Sequence, residues 1–157
     1  RFTFGSENST SGRLMPQYFL NLAGIKITDF KGKRAGFSGS HDATLALVNS
    51  GAFEAGVLNK QVWDRNLKNN MKRTKNVKLF WVTPEYVDYH WLVHGDLDEK
   101  YRIGFTHELK SVILKLDIKN KNDKEILDMF GAKKFIKADA SSYDEIETIA
   151  RKLKKIR

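Results

Sequence analysis

Phe2-Thr3-Phe4-Gly5-Ser6-Glu7-Asn8-Ser9-Thr10-Ser11-Gly12 reads as a short apolar strand, a polar turn and the start of a helix. The helix is predicted over residues 12–23, because Leu14, Met15, Tyr18, Phe19 and Leu22 recur at a 3.6-type spacing. Pro16 falls near its first turn, where a missing N–H costs least, and Gly24 is a natural stop. Three hydroxyls, Ser9, Thr10 and Ser11, therefore sit where a strand hands over to a helix, with Gly12 letting the backbone come close. Side-chain O–H groups, unpaired first-turn N–H groups and the helix dipole together make a seat for a tetrahedral oxyanion. The same residues also suit an ordinary Ser/Thr helix cap. No Gly-Lys-Ser/Thr follows, which excludes a nucleotide-type phosphate loop.

The strand–helix alternation continues downstream. A strand is expected over 33–37, closed by Ser38-Gly39-Ser40, then a helix over 41–49 that is apolar on more than one side and so expected to be buried. Gly51 ends it, and a strand over 52–58, a helix over 60–69 and a strand over 77–82 follow, with a break at Thr83-Pro84. This βαβαβαβ order predicts an α/β fold with a mostly parallel sheet flanked by helices. Residues 90–93 suggest one more strand. Beyond Asp96 the pattern turns helical: Leu97, Tyr101, Phe105, Leu109, Val112, Ile113 and Leu116 form one stripe. Asn122 with Glu125 resembles a capping box for a helix that Gly131 closes, and Ser142 with Glu145 opens the last helix.

A length of 157 residues fits one domain, and 41% hydrophobic residues suffice for a core. Lys+Arg 28 against Asp+Glu 19 gives a net charge of +9, compatible with nucleic acid, membrane surfaces or anionic ligands. The lack of cysteine excludes disulfide scaffolds, thiolate zinc sites and cysteine nucleophiles. No apolar run approaches the ~20 residues of a membrane span. The first residues read like the middle of a strand and lack an initiator Met, so the chain is expected to be a piece of something longer.

Two further segments carry candidate chemistry. Ser40-His41-Asp42 again lies between a strand and a helix, placing His41 at the same sheet edge as the hydroxyls, where open α/β sheets collect ligands. An imidazole there can donate to an anion through either ring nitrogen and gain a proton as the anion binds; an ordinary turn residue fits equally. Thr83-Pro84-Glu85-Tyr86-Val87-Asp88-Tyr89-His90-Trp91 crowds carboxylates, aromatics and a histidine behind a strand, and Asp88 is the member aimed at a ligand. A carboxylate facing an oxyanion requires a ligand bearing its own proton or an ammonium, so HPO₄-like ions are favoured over sulfate.

Catalysis is not expected. Ser11, His41 and Asp88 lack the Gly-x-Ser-x-Gly elbow, and nothing else nominates a nucleophile. His90 and His94 have helical metal-pair spacing but fall in an expected strand with no third ligand. No metal or other cofactor is called for. Six basic residues without an acid lie between Arg65 and Lys78, and five more among the last seven; in the tail they alternate with an apolar stripe, as on a solvated helix face, rather than with stacking aromatics.

The segments 4–12 with Pro16, 37–43 with 48–56, and 80–91 together resemble the phosphonate/phosphite-type substrate-binding proteins of ABC transporters, including a subgroup associated with selenate. The likeness extends over essentially the whole chain. It implies a type 2 periplasmic-binding fold, two α/β lobes closing on a ligand, with Ser9, Thr10, Ser11 and His41 holding the oxyanion and Asp88 as a cleft carboxylate. It also implies a phosphonate, phosphite, phosphate or selenate-like ligand, a membrane permease as partner, and a periplasmic or other extracytoplasmic location. On this likeness residues 1–85 are the second lobe, and 86–157 are the crossover and helical return towards a first lobe outside the chain. The half-cleft alone is expected to bind weakly and offers apolar surface that a second copy could cover. Lys60-Gln61-Val62-Trp63 stands where aminophosphonate binders keep a second acid, which favours a simpler oxyanion. The competing readings are a sensor domain of the same fold in a signalling protein, and a basic nucleic-acid module.

Overall fold

The computed structural model describes residues 1–87 and 89–156. They form two compact units, Arg1–Asp88 with Tyr143–Arg157, and Tyr89–Ser142. The first unit is built on β1 (Phe2–Phe4), β2 (Gly36–Phe37) and β3 (Ala55–Gly56), all parallel in the order β2-β1-β3. Three helices interleave with the strands: α1 (Met15–Leu22), α2 (His41–Asn49) and α3 (Lys60–Asn69). The α/β class read from the alternation is thus the observed one.

The central strand is buried throughout, Phe2, Thr3 and Phe4 alike, as a strand covered on both faces must be. Thr3 pairs with Gly36 on one side and Gly56 on the other. A methyl group on Gly36 would meet the Phe53 ring at 2.7 Å, and one on Gly56 would meet Thr44 Cγ2 at 2.7 Å. These glycines let the side chains of Phe53 and Thr44 lie directly against the sheet. Met15, Leu45, Trp63, Ile149 and Ala150 are also buried in this unit.

α3 occupies the predicted residues 60–69, and α2 the predicted 41–49, because each begins on a side-chain cap: Asn59 Oδ1 accepts from Gln61 N at 2.8 Å, and Ser40 Oγ from Ala43 N at 3.1 Å. α2 is less buried than its composition suggests, with only Thr44 and Leu45 fully covered. The strands are shorter than expected. Lys33 has a left-handed φ of 56°, which turns the chain just ahead of β2, and Phe53 donates to Leu47 O at 3.2 Å in the turn that follows Gly51.

Residues 77–82 and 90–93 are not strands. Their apolar side chains suit extended backbone, but a strand exists only through a ladder partner, and among the described residues neither segment has one. Leu79, Phe80, Trp81 and Val82 are exposed as a result.

The second unit holds α4 (Leu97–Lys100), α5 (Phe105–Leu114) and α6 (Lys121–Met129). The long stripe predicted over 97–116 is broken at Gly104, whose φ of 84° no right-handed helix accommodates. α6 is capped by Asn120, whose Oδ1 receives the amides of Asn122 and Asp123, so the expected Asn122–Glu125 box is displaced by two residues. The last helix, α7 (Asp144–Lys152), starts on Tyr143 without a side-chain cap instead of on Ser142, and belongs to the first unit. Trp91, Phe130 and Phe135 form an edge-to-face cluster in the second unit, where Leu127 is also buried.

Candidate functional site

Each strand of the first unit delivers a loop to the same sheet edge. The ladder continues past β1 and β2, with Ser38 N donating to Phe4 O at 3.0 Å and Gly39 N to Gly5 O at 3.2 Å. From that edge leave the hydroxyl segment after β1, His41 after β2 and Asn59 after β3.

The hydroxyl segment enters α1 through a π-helical turn, Thr10–Leu14. Ser9 is extended, and its Oγ accepts from Gly12 N at 2.9 Å, while its carbonyl accepts from Leu14 N at 3.0 Å. Ser9 is therefore a helix cap, and its hydroxyl hydrogen is still available to donate. Gly5 N donates to Gly12 O at 2.8 Å, tying the turn back onto the strand exit. Glycine is required at position 12: a methyl group there would lie 2.9 Å from Ser9 Oγ, 3.2 Å from His41 Cε1 and 3.3 Å from Gly5 Cα.

Ser11 is buried, and its Oγ lies 3.5 Å from His41 Nε2. The other ring nitrogen, Nδ1, accepts the backbone N–H of Asn59 at 3.2 Å. The expectation that either nitrogen of His41 could donate is thereby corrected: Nδ1 is engaged as an acceptor. Thr10 opens the π-helical turn, half-buried, between Ser9 and Ser11. The structure thus brings Ser9, Ser11 and His41 to one place, with Thr10 in the same turn. Asp88 lies outside the described residues.

Asp42, next to His41, faces two cations, Arg73 Nη1 at 2.9 Å and Arg65 Nη2 at 3.3 Å. Arg73 also donates to Asn66 Oδ1 and to the Asp42 carbonyl, so part of the basic stretch 65–78 pins α2 against α3. Among the described residues no group of three or more His, Cys, Asp or Glu could hold a metal ion. His94 instead contacts the Asp96 carboxylate in a segment that is not helical.

Two residues at the site escaped the sequence reading, Asn59, whose amide meets His41, and Arg13. Arg13, the single charge between residues 12 and 23, is 7% exposed, with its guanidinium carbon 4.6 Å from the ring centres of both Phe4 and Phe37. Its Nε donates to Gln17 Oε1 at 2.7 Å. Burial pulls its pKa below the ordinary value, against the raising effect of Glu7. Its signal in the sequence is a lone cation in an otherwise uncharged helix that follows an aromatic strand. A cleft of about 490 Å³ lies at the opposite end of β1, lined by Arg1, Phe2, Lys31, Arg34, Gly36 and Phe53 among others, and includes none of the hydroxyl or imidazole groups.

A family model described as "ABC transporter, phosphonate, periplasmic substrate-binding protein" matches residues 1–143. The chain belongs to that family, which is one of transport binding proteins and not of enzymes. Among its relatives is the probable ABC transporter phosphite binding protein PhnD1 of Prochlorococcus marinus (strain MIT 9301), 73% identical over 157 residues. That match covers 100% of this chain and 53% of the relative. A 1.52 Å structure of PhnD1 from Prochlorococcus marinus (MIT 9301) in complex with methylphosphonate superposes with a TM-score of 0.96 at 72% identity, over 99% of this chain and 57% of that one. The chain spans about half the length of these relatives.

Proposed function

We propose that this chain is part of the solute-binding component of an ABC importer. Ser9, Thr10, Ser11 and His41 would hold one side of a phosphonate-, phosphite- or phosphate-like oxyanion. The observation that carries the reading is the approach of Ser11 Oγ to His41 Nε2, 3.5 Å, at the edge where the Ser9–Gly12 turn leaves the sheet. The printed ligands of the relatives, phosphite and methylphosphonate, support the same class. Binding is by replacement: fixed O–H and N–H donors take over the ligand's water shell, and charge-assisted bonds make each of them stronger than a neutral pair. No bond is made or broken.

The remaining parts of the reading follow from it. Residues 1–85 serve as one lobe of a two-lobed cleft and 86–157 as the crossover and return. Asp88 is the cleft carboxylate that favours a ligand bearing a proton. The protein works outside the cytoplasm and delivers its ligand to a membrane permease. The chain on its own self-associates through the apolar side chains exposed after Lys78.

The test is calorimetry on the full-length protein with methylphosphonate, phosphite, phosphate, selenate and sulfate. Phosphorus oxyanions are expected to bind and sulfate to bind least. Ser11→Ala and His41→Gln are each expected to weaken binding about tenfold or more, the range for losing a hydrogen bond to a charged group. Absence of heat with every anion, on folded protein, counts against the reading.

A further inference from the structure

We propose that the backbone N–H of Asn59 fixes the tautomer of His41 and thereby turns the Ser11 hydroxyl into a donor towards the oxyanion. This rests on the ligand role given above to Ser11 and His41.

A backbone amide only donates. With Asn59 N 3.2 Å from His41 Nδ1, that ring nitrogen presents its lone pair, and a neutral imidazole then carries its hydrogen on Nε2. A hydrogen on Nδ1, in the other tautomer or in the imidazolium, would point at the amide hydrogen. Nε2–H faces Ser11 Oγ at 3.5 Å, so the serine oxygen is the acceptor and its own hydrogen is turned away from the ring. An anion drawing on the Ser11 O–H polarises the chain and strengthens the Nε2–H to Oγ contact.

Ser9 repeats the arrangement by another route. Its oxygen accepts from Gly12 N at 2.9 Å, which also leaves the hydroxyl hydrogen for an outside acceptor. Both hydroxyls thus have one lone pair engaged from behind and their hydrogens left to donate forward. A site set this way suits a ligand with lone pairs on several oxygens.

Asn59 is suited to the role because its own position is fixed. It is buried, 8% exposed, and its side chain caps α3 through Gln61 N. The start of α3 thus holds the amide that holds the ring. His41, after β2, is in this way contacted from the two flanking loops of the parallel sheet, after β1 and after β3, a combination that no single segment of sequence displays.

The experiment is ¹⁵N NMR of the histidine rings in the full-length protein, with the His41 signals identified by their loss in His41→Gln. The ligand-free wild type at neutral pH is expected to show the Nε2–H pattern at His41. Asn59→Pro deletes the amide hydrogen at a residue whose φ of −65° is the one proline imposes. It is expected to release the ring into a mixture of tautomers and to weaken methylphosphonate binding roughly threefold to tenfold. Asn59→Ala keeps the amide and removes the cap, so the ring pattern is expected to persist while the melting temperature falls. An Nδ1–H or doubly protonated ring in the wild type overturns the proposal, as does an unchanged pattern in folded Asn59→Pro. The wild-type spectrum is read without ligand. A flat methylphosphonate titration beside an intact Nε2–H pattern therefore overturns the ligand role alone and leaves the tautomer assignment standing.

Discussion

Gly12 is where one added methyl group would act on the hydroxyl turn, the imidazole and the strand exit together. Its imagined Cβ falls within 3.3 Å of Ser9 Oγ, His41 Cε1 and Gly5 Cα. Ser9 Oγ cannot simply swing aside, because it is the acceptor of the Gly12 amide. Gly12→Ala is therefore expected to destabilise the chain by about 1–3 kcal/mol, the usual cost of overpacking, and to weaken oxyanion binding. Denaturant melts with parallel titrations check this; unchanged stability and affinity would refute it. The hydroxyls and His41 were legible because each stands at a strand–helix junction visible in a few neighbouring residues. Arg13 and Asn59 were not, since their partners lie far along the chain: Phe37 for the guanidinium, His41 for the amide. Local patterning says what a residue is beside in sequence, and these two act on what the fold sets beside them.

α2 and α3, each begun on a side-chain cap, stand where the sequence places them, whereas α6 starts two residues early on its Asn120 cap and α5 has no cap of its own. Asn59 and Ser40 fix the starts of α3 and α2, whereas α5 begins at Gly104, which has no side chain to offer. Its cap is supplied from a neighbouring helix: Asp98 in α4 accepts from Thr106 N at 2.7 Å and Gly104 N at 3.1 Å. Those bonds, Thr106 foremost, hold the Asp98 carboxyl below its ordinary value of 3.8. A carboxyl depressed in the folded state stabilises it fully above the ordinary value, and that contribution disappears as pH falls through the folded one. Amide exchange at Thr106 is thus expected to accelerate on acidification below the ordinary aspartate range, and Asp98→Asn to flatten that dependence. Exchange at Thr106 with no pH response beyond the intrinsic rate would contradict it. The strand predicted over 77–82 failed for a different reason: composition reports that a segment suits a sheet, while the sheet itself is a matter of partners.

The charge and the apolar surface of the whole chain point in different directions. A net charge of +9 suggests a polyanion-binding face, yet Arg65 and Arg73 are paired with Asp42, Arg102 with Glu108 and Arg151 with Glu147. Those four guanidinium groups are engaged by carboxylates within the chain, whereas a nucleic-acid interface presents its cations to phosphates. The apolar surface is the more consequential feature. Phe80 is 79% exposed, Tyr89 74% and Leu92 83%, in or beside the segments 77–82 and 90–93 that the sequence suggests are strands. Large apolar side chains left in water favour association, so the 157-residue chain by itself is expected to self-associate. Sedimentation velocity over a concentration series should show the average mass rising with loading. Phe80→Lys places a charge on the most exposed ring of the 77–82 segment and is expected to shift the distribution towards monomer. Its melting temperature should stay unchanged, because the ring buries little of its surface within the chain. A wild type that sediments as a monomer at every concentration would mean that these side chains are tolerated in water. The association proposed for the chain would then fall, while the oxyanion site, which uses none of them, would stand.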